Sequence, residues 1–361
     1  MIKNIPTVDF SERPFVLIWE VTRACALACQ HCRATAQPRA HPLELSTEEG
    51  MRLIDQAVRA RPEIFILTGG DPVMRRDLVT LVRYATDQGL RVSLSPSATP
   101  KLLNSDFNAL KRAGVRRISL SLDGAAAESH DAFRGVPGTW GWTMRAARKA
   151  QDAGMEFQIN TTISNTNIDQ LDEFCAVMED LKPALWSVFL LVPTGRAIAD
   201  DLPTPEEMES FLLRLHRYSK QASFPIKTTE GSFYRRIAVQ QSLPGESALP
   251  RRGPVGINDG KGFAFISHTG QINPSGFLPA DCGNVKTDEF IDVYQNHPLF
   301  QQLRDPDALK GKCHDCEFRS LCGGSRARAW CMTGDALASD PLCAYEPTKA
   351  KTPAGELALA L

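Results

Sequence analysis

Six short apolar runs recur along the first half of the chain with amphipathic stretches between them, and this rhythm constrains the fold most. They are FVLIWEV (15–21), IFILT (64–68), RVSLS (91–95), RISLSL (117–122), MEFQINTTI (155–163) and LWSVFLLV (185–192). Alternation of this kind points to parallel βα units. The stretches between read as helices: one opens at Thr47, one runs from Arg76 to Gln88 and stops at Gly89, and one runs from Trp140 to Ala153 and stops at Gly154. Six units make an α/β fold, a partial (β/α)6 TIM-like barrel. The unusual residues fall just after the strands, which suits a barrel whose C-terminal rim forms the site.

Beyond Pro193 the rhythm changes to a polar helix around Pro205–Gln221 and then a loop-rich region containing Pro225, Pro244, Pro250 and Pro254. The expected division is a barrel over 1–222, a linker region over 223–261, a small cysteine-bearing domain over 262–346, and a tail over 347–361. A formal net charge of −1 gives no reason to expect nucleic acid or an anionic membrane as partner. The start of the chain lacks a basic segment followed by an apolar run, and no stretch of about 18 uninterrupted apolar residues occurs. We therefore expect a cytoplasmic protein.

Ten cysteines in a long chain of this kind favour metal or redox chemistry over disulfides. The first group, Cys25-x3-Cys29-x2-Cys32, follows the first strand. Three thiolates on one loop can hold three irons of a [4Fe–4S] cluster and leave the fourth iron open. Zinc, which takes four ligands commonly grouped in close pairs, is the weaker reading. The second group is Cys313-x2-Cys316-x5-Cys322 and, after a gap, Cys343. Its spacing alone divides evenly between zinc and an iron–sulfur cluster.

On these motifs the chain resembles the radical S-adenosylmethionine (SAM) superfamily, whose hallmark is a C-x3-C-x2-C loop after the first strand of a partial barrel. The resemblance implies a [4Fe–4S] cluster on Cys25, Cys29 and Cys32, whose open iron binds the amino and carboxylate groups of SAM and cleaves it to a 5′-deoxyadenosyl radical. It implies that Gly69, Gly70, Asp71 and Pro72 approach the SAM amino group through backbone carbonyls. Ser95 and Ser121 stand where the family contacts the carboxylate or ribose, Asn160 where it contacts ribose, and Val192 where it contacts adenine. Asp71 replaces the commoner glutamate. Other readings stay open: Gly-Gly-Asp-Pro as a plain turn, Ser121 and Asp123 as caps, Asn160 and Val192 as core, and His31 as either an adenine neighbour or a structural histidine.

The second group resembles the SPASM/twitch extension of the same superfamily, which implies one auxiliary [4Fe–4S] cluster on Cys313, Cys316, Cys322 and Cys343. Arg326 stands where a full SPASM domain has a further cysteine, and Gly270 leads to Ser275, so the ligands for a second auxiliary cluster are incomplete. Cys331 remains unassigned. So does Cys282, which is close enough in sequence to be a conditional fourth ligand or substrate contact. The stretch CGGSRARA, with the later GD and DPLC, resembles the subgroup that holds haem-biosynthesis enzymes and the mycofactocin maturase.

The resemblance implies an oxidoreductase that abstracts hydrogen beside a carboxylate, with decarboxylation or side-chain modification of a tetrapyrrole, and a flavodoxin- or ferredoxin-type reductant. Arg196, Arg235, Arg236, Arg326 and Arg328 could pair with substrate carboxylates. The alternative is maturation of a ribosomal precursor peptide, which on this sequence would need a separate leader-binding partner. A non-enzymatic iron–sulfur or zinc protein would require a degenerate SAM site, whereas the motifs are retained. Glu20, Glu230 and Tyr234 are plausible pocket residues with no feature that separates them from structural ones, so no catalytic acid or base is assigned.

Overall fold

The six apolar runs form strands β1 (Val16–Glu20), β2 (Ile64–Thr68), β3 (Val92–Leu94), β4 (Arg117–Ser121), β5 (Glu156–Ile163) and β6 (Leu185–Leu190). The computed structural model describes residues 9–243 and 256–348. Within them three further strands follow, β7 (Ile226–Thr229), β8 (Phe263–Ile266) and β9 (Ile272–Asn273). All join one curled half-barrel sheet in the order β7-β6-β5-β4-β3-β2-β1-β8-β9. Pairing is parallel from β7 to β8, and only β8 with β9 is antiparallel.

The sheet therefore exceeds the expected six strands at both edges. Strand β7 and the helix Tyr234–Gln240 lie inside the segment 223–261 expected as a linker, and β8 and β9 come from the segment expected as the cysteine-bearing domain. β7 reads Ile-Lys-Thr-Thr, too short and polar for an apolar-run criterion, because as an edge strand it has a neighbour on one side only. Pro244, Pro250 and Pro254, and residues 349–361 of the expected tail, lie outside the described residues.

Each strand splits its side chains between two environments, as a pleat requires. On β5, Phe157, Ile159, Thr161 and Ile163 are buried, while Gln158, Asn160 and Thr162 are half-buried. The apolar row joins the core of outer helices, and the polar row belongs to the concave face. Helix Thr47–Ala60 opens with a capping box in which Ser46 and Glu49 satisfy each other's backbone N–H. It buries Leu53, Ile54, Ala57 and Ala60 at helical spacing. Its buried Gln56 donates to Val285 O at 2.9 Å and accepts from Phe290 N at 2.9 Å, tying the C-terminal region to the barrel wall. The other expected helices are Leu78–Asp87, Thr139–Asp152 and Pro205–Ser219. No helix among the described residues is long and apolar enough to cross a membrane.

Candidate active site

The loop leaving β1 carries Cys25, Cys29 and Cys32, and loops from other strands hold it in place. Cys25 N donates to Gln37 O at 2.8 Å, closing the loop on itself. Gly70 N donates to Thr22 O at 2.8 Å and Asp71 N to Ala24 O at 2.7 Å, so the segment after β2 is stitched to the loop's entry. Close approach is what the two glycines permit: a Cβ on Gly69 would sit 2.5 Å from Thr22 O, and one on Gly70 2.6 Å from Ala24 O. From the β6 side, Arg196 N donates to Cys32 O at 3.1 Å.

Each of the three sulfurs receives a nitrogen donor. Leu27 N lies 3.4 Å from Cys25 Sγ, Arg134 Nη1 3.6 Å from Cys29 Sγ, and Ala36 N 3.4 Å from Cys32 Sγ. Such donors favour the thiolate, the form that binds iron. Burial works the other way and raises the Cys25 thiol above its ordinary value. Deprotonation of this pocket is thus matched to a cationic ligand that offsets the charge. Among the described residues no three histidine, cysteine or carboxylate side chains are gathered closely enough to hold one metal ion.

The cysteines face a cavity of about 1000 Å³, counted out to its open mouth at the C-terminal ends of the strands. Of the expected cofactor residues, Gly69, Gly70, Ser95, Ser121, Asn160 and Val192 line it. Asp71 and Pro72 do not. The Asp71 carboxylate is buried and accepts from Thr99 Oγ1 at 3.0 Å, Ser97 N at 3.2 Å and Val73 N at 3.3 Å, which pins the loop after β3. Burial raises this carboxyl to about 6 in spite of those donors.

Several lining residues carry no sequence signal of their own: Ser97, Arg134, Thr162, Phe189 and Phe277. Ser97 Oγ donates to Gly70 O at 3.0 Å and lies 3.5 Å from Cys25 Sγ. Arg134 ends the helix Ala127–Arg134 and forms a buried ion pair with Asp123, whose Oδ1 accepts from Thr162 N at 2.7 Å. Asp123 thus organises the rim as an acceptor. His31 stacks on Phe133 at 4.2 Å between ring centroids, and burial lowers it to about 3, so the ring stays neutral.

A second, much tighter cavity is lined by Cys313, Cys316, Cys322 and Cys343 together. Gly324 N lies 3.4 Å from Cys322 Sγ, and Arg326 Nη2 3.8 Å from Cys313 Sγ. Burial pushes Cys322 up to about 12 and Cys343 up to about 11, so these thiols also require a cationic partner to ionise. Cys282 and Cys331 line neither cavity. Cys282 Sγ lies 3.6 Å from Ala280 O and Cys331 Sγ 3.9 Å from Phe277 O.

Four of the five arginines considered for substrate carboxylates are engaged within the protein. Arg235 donates to Leu321 O and Ile257 O, and Arg236 forms a fork with Glu209. Arg326 holds Ala336 O and Ala338 O, and Arg328 pairs with Asp340. Glu20 is bound by Arg33 and His268, and Glu230 accepts from Ser325 Oγ at 2.5 Å. Tyr234 Oη donates to Ser219 Oγ at 3.2 Å. None of these three pocket candidates lines the first cavity.

The fold and this cavity define a parallel half-barrel protein that works at the C-terminal ends of its strands, over a loop of three cysteines. The chain belongs to the radical SAM superfamily, whose family model matches residues 19–178. It is 44% identical over 360 residues to the AdoMet-dependent heme synthase of Oleidesulfovibrio alaskensis, covering 96% of this chain and 92% of that one. It is 43% identical to the protein of the same name from Nitratidesulfovibrio vulgaris, covering 92% and 93%. The mycofactocin maturase MftC of Mycolicibacterium smegmatis is 31% identical, with coverage of 92% and 83%. Among solved structures, Streptococcus suis SuiB bound to precursor peptide SuiA shares the fold, with a TM-score of 0.69 at 17% identity over 92% of this chain and 76% of that one. The chain is thus a radical SAM enzyme, with a [4Fe–4S] cluster that binds SAM.

Proposed function

We propose that this enzyme decarboxylates propionate side chains of a tetrapyrrole oxidatively, with the SAM-binding cluster on Cys25, Cys29 and Cys32 and one auxiliary [4Fe–4S] cluster on Cys313, Cys316, Cys322 and Cys343. The observation that carries the reading is the pairing of two cysteine-lined cavities in one chain, one on the barrel rim beside Gly69, Gly70, Ser95 and Ser121, the other lined by all four later cysteines. When bound, the cofactors would supply hydrogen-atom abstraction from a propionate carbon and a one-electron acceptor, so that loss of that hydrogen, carbon dioxide and one electron would turn the propionate into a vinyl group.

The protein's own groups bind and orient. Gly69 and Gly70 bring backbone carbonyls to the cavity, Ser95, Ser121 and Asn160 offer polar side chains, and Val192 offers an apolar contact, which supports SAM as the occupant of that wall. Phe189 and Phe277, 6.4 Å apart between ring centroids, give the same cavity an aromatic side suited to a flat macrocycle. The relatives named as heme synthases support the tetrapyrrole, being 44% and 43% identical against 31% for the peptide maturase. A flavodoxin- or ferredoxin-type protein is the proposed reductant.

The test is anaerobic reconstitution with iron and sulfide, then dithionite, SAM and iron coproporphyrin III. About eight irons per chain are expected, four in a Cys313→Ala/Cys316→Ala variant and four in a Cys25→Ala/Cys29→Ala/Cys32→Ala variant, with 5′-deoxyadenosine formed only when the first loop is intact. Carbon dioxide and a vinyl product should appear with the wild type alone. Release of 5′-deoxyadenosine with no change in the tetrapyrrole would reject the substrate and favour the peptide reading.

A further inference from the structure

Three arginines reach the first cavity: Arg33, Arg134 and Arg196. Two have carboxylate partners inside the protein, Arg33 with Glu20 and Arg134 with Asp123. Arg196 has none. Its Nε and Nη2 are shut off from solvent, and no described residue accepts a hydrogen bond from either. The residue as a whole is half-buried, so what stands out is this edge of the guanidinium: two N–H groups taken from water with no acceptor supplied are rare unless a ligand completes them.

The backbone around Arg196 is held to put it there. Gly195 has a φ of +68°, and a Cβ at that position would sit 2.3 Å from Cys32 O and 2.4 Å from Arg33 O. Only glycine lets the loop after β6 lie this close against the cysteine loop. Arg196 N then donates to Cys32 O at 3.1 Å, and Thr194 N to Val192 O at 2.8 Å. Arg196 lines the same cavity as Leu191, Val192, Phe189 and Phe277.

We propose that Arg196 is a binding residue for a ligand carboxylate. A planar guanidinium with two free N–H groups matches a carboxylate in bidentate fashion, and the neighbouring acids are already taken. Two acids meet that chemistry in this enzyme, the methionyl carboxylate of SAM and a propionate of the substrate; the second source rests on the tetrapyrrole reading above.

The reconstituted holoenzyme, without reductant, separates them. Dissociation constants are measured for SAM by equilibrium dialysis, and for iron coproporphyrin III and its methyl ester by absorbance titration, in wild type, Arg196→Gln and Arg196→Lys. Arg196→Gln is expected to keep its iron content and the wild-type affinity for the ester, and to lose affinity for one acid by about 10- to 100-fold. Arg196→Lys, which keeps the charge and loses the fork, should fall between. Loss confined to SAM assigns the site to the cofactor, and loss confined to the free-acid porphyrin assigns it to the substrate. Both acids unchanged, or acid and ester weakened alike, would overturn the proposal. If the wild type binds no porphyrin the tetrapyrrole reading fails, and the SAM titration alone decides the role of Arg196.

Discussion

Glu20 ends β1 completely buried, with Arg33 Nη2 and His268 Nδ1 each 2.9 Å from its carboxylate. Burial on its own would raise the carboxyl; the Arg33 charge and the His268 hydrogen bond outweigh it and hold the group at about 2, against an ordinary 4.5. A folded value below the unfolded one means stabilisation that is complete above the unfolded value and disappears as pH falls toward the folded one. Linkage puts it on the order of 3 kcal/mol at neutral pH. Denaturant unfolding of the apo protein from about pH 7 down to pH 2.5 should therefore show stability falling in the acid half of the range. Glu20→Gln should begin lower at neutral pH, since it strands two cationic neighbours, and should lack that acid-side loss. Equal slopes in the two proteins would show that the Glu20 charge contributes nothing to the barrel. Glu20 was visible in the sequence as a polar residue at the end of an apolar strand. Its partner His268 lies 248 positions away, and only the pairing of β8 with β1 brings them together.

At the scale of elements, the cysteine-lined cavity depends on how closely the strand-end loops can approach. Gly70→Ala would place a methyl group 2.6 Å from two backbone carbonyls, Arg23 O and Ala24 O, neither of which can rotate away. The β2 loop must then move off the cysteine loop, at a cost of about 1–3 kcal/mol. The expected result is a protein that still folds, holds less iron at the first cluster and forms 5′-deoxyadenosine more than tenfold more slowly. Iron content and nucleoside rate at wild-type levels would show that the contact is dispensable. That these glycines and the cysteines share one cavity was legible because each motif is a short stretch just after an apolar run. Arg134, Thr162 and Phe277 were not, since each reaches the cavity only through the curl of the sheet or the placement of the C-terminal region. Edge strand β7 was missed for a related reason: its Ile-Lys-Thr-Thr run, exposed or half-buried throughout, lacks the apolar pattern of a central strand. At Asp71 the side chain braces the loop after β3, a role separate from the backbone-carbonyl contact its motif implies, while the neighbouring Gly69 and Gly70 line the cavity.

At the scale of the whole molecule, the CGGSRARA stretch acquires a structural meaning that its spacing did not convey. Arg328 is fully buried and its guanidinium ties three other parts of the chain to its own helix. It donates to Leu191 O at 3.1 Å and Leu190 O at 3.3 Å at the end of β6, to Glu230 O at 2.7 Å after β7, and to both Asp340 oxygens at 2.9 and 3.0 Å. Asp340 in turn accepts from Ser325 N at 2.8 Å and Leu342 N at 3.1 Å, beside the second cysteine-lined cavity. The wall of the first cavity is thereby tied to the frame of the second through one ion pair. Arg328→Met would leave Asp340 buried without its counter-charge, at about 3–5 kcal/mol, whereas the double change Arg328→Met/Asp340→Leu removes both charges and should recover part of that loss. Iron per chain reports the coupling directly. On the two-cluster proposal, if the pair aligns the two cavities, Arg328→Met should lose iron from both cysteine groups, and the double variant should regain stability faster than it regains a full iron complement. Recovery of both in parallel would mean that the pair contributes only folding energy. Unchanged stability in Arg328→Met would mean that the barrel and the C-terminal region are held together elsewhere, through contacts such as Gln56 with Val285 and Phe290.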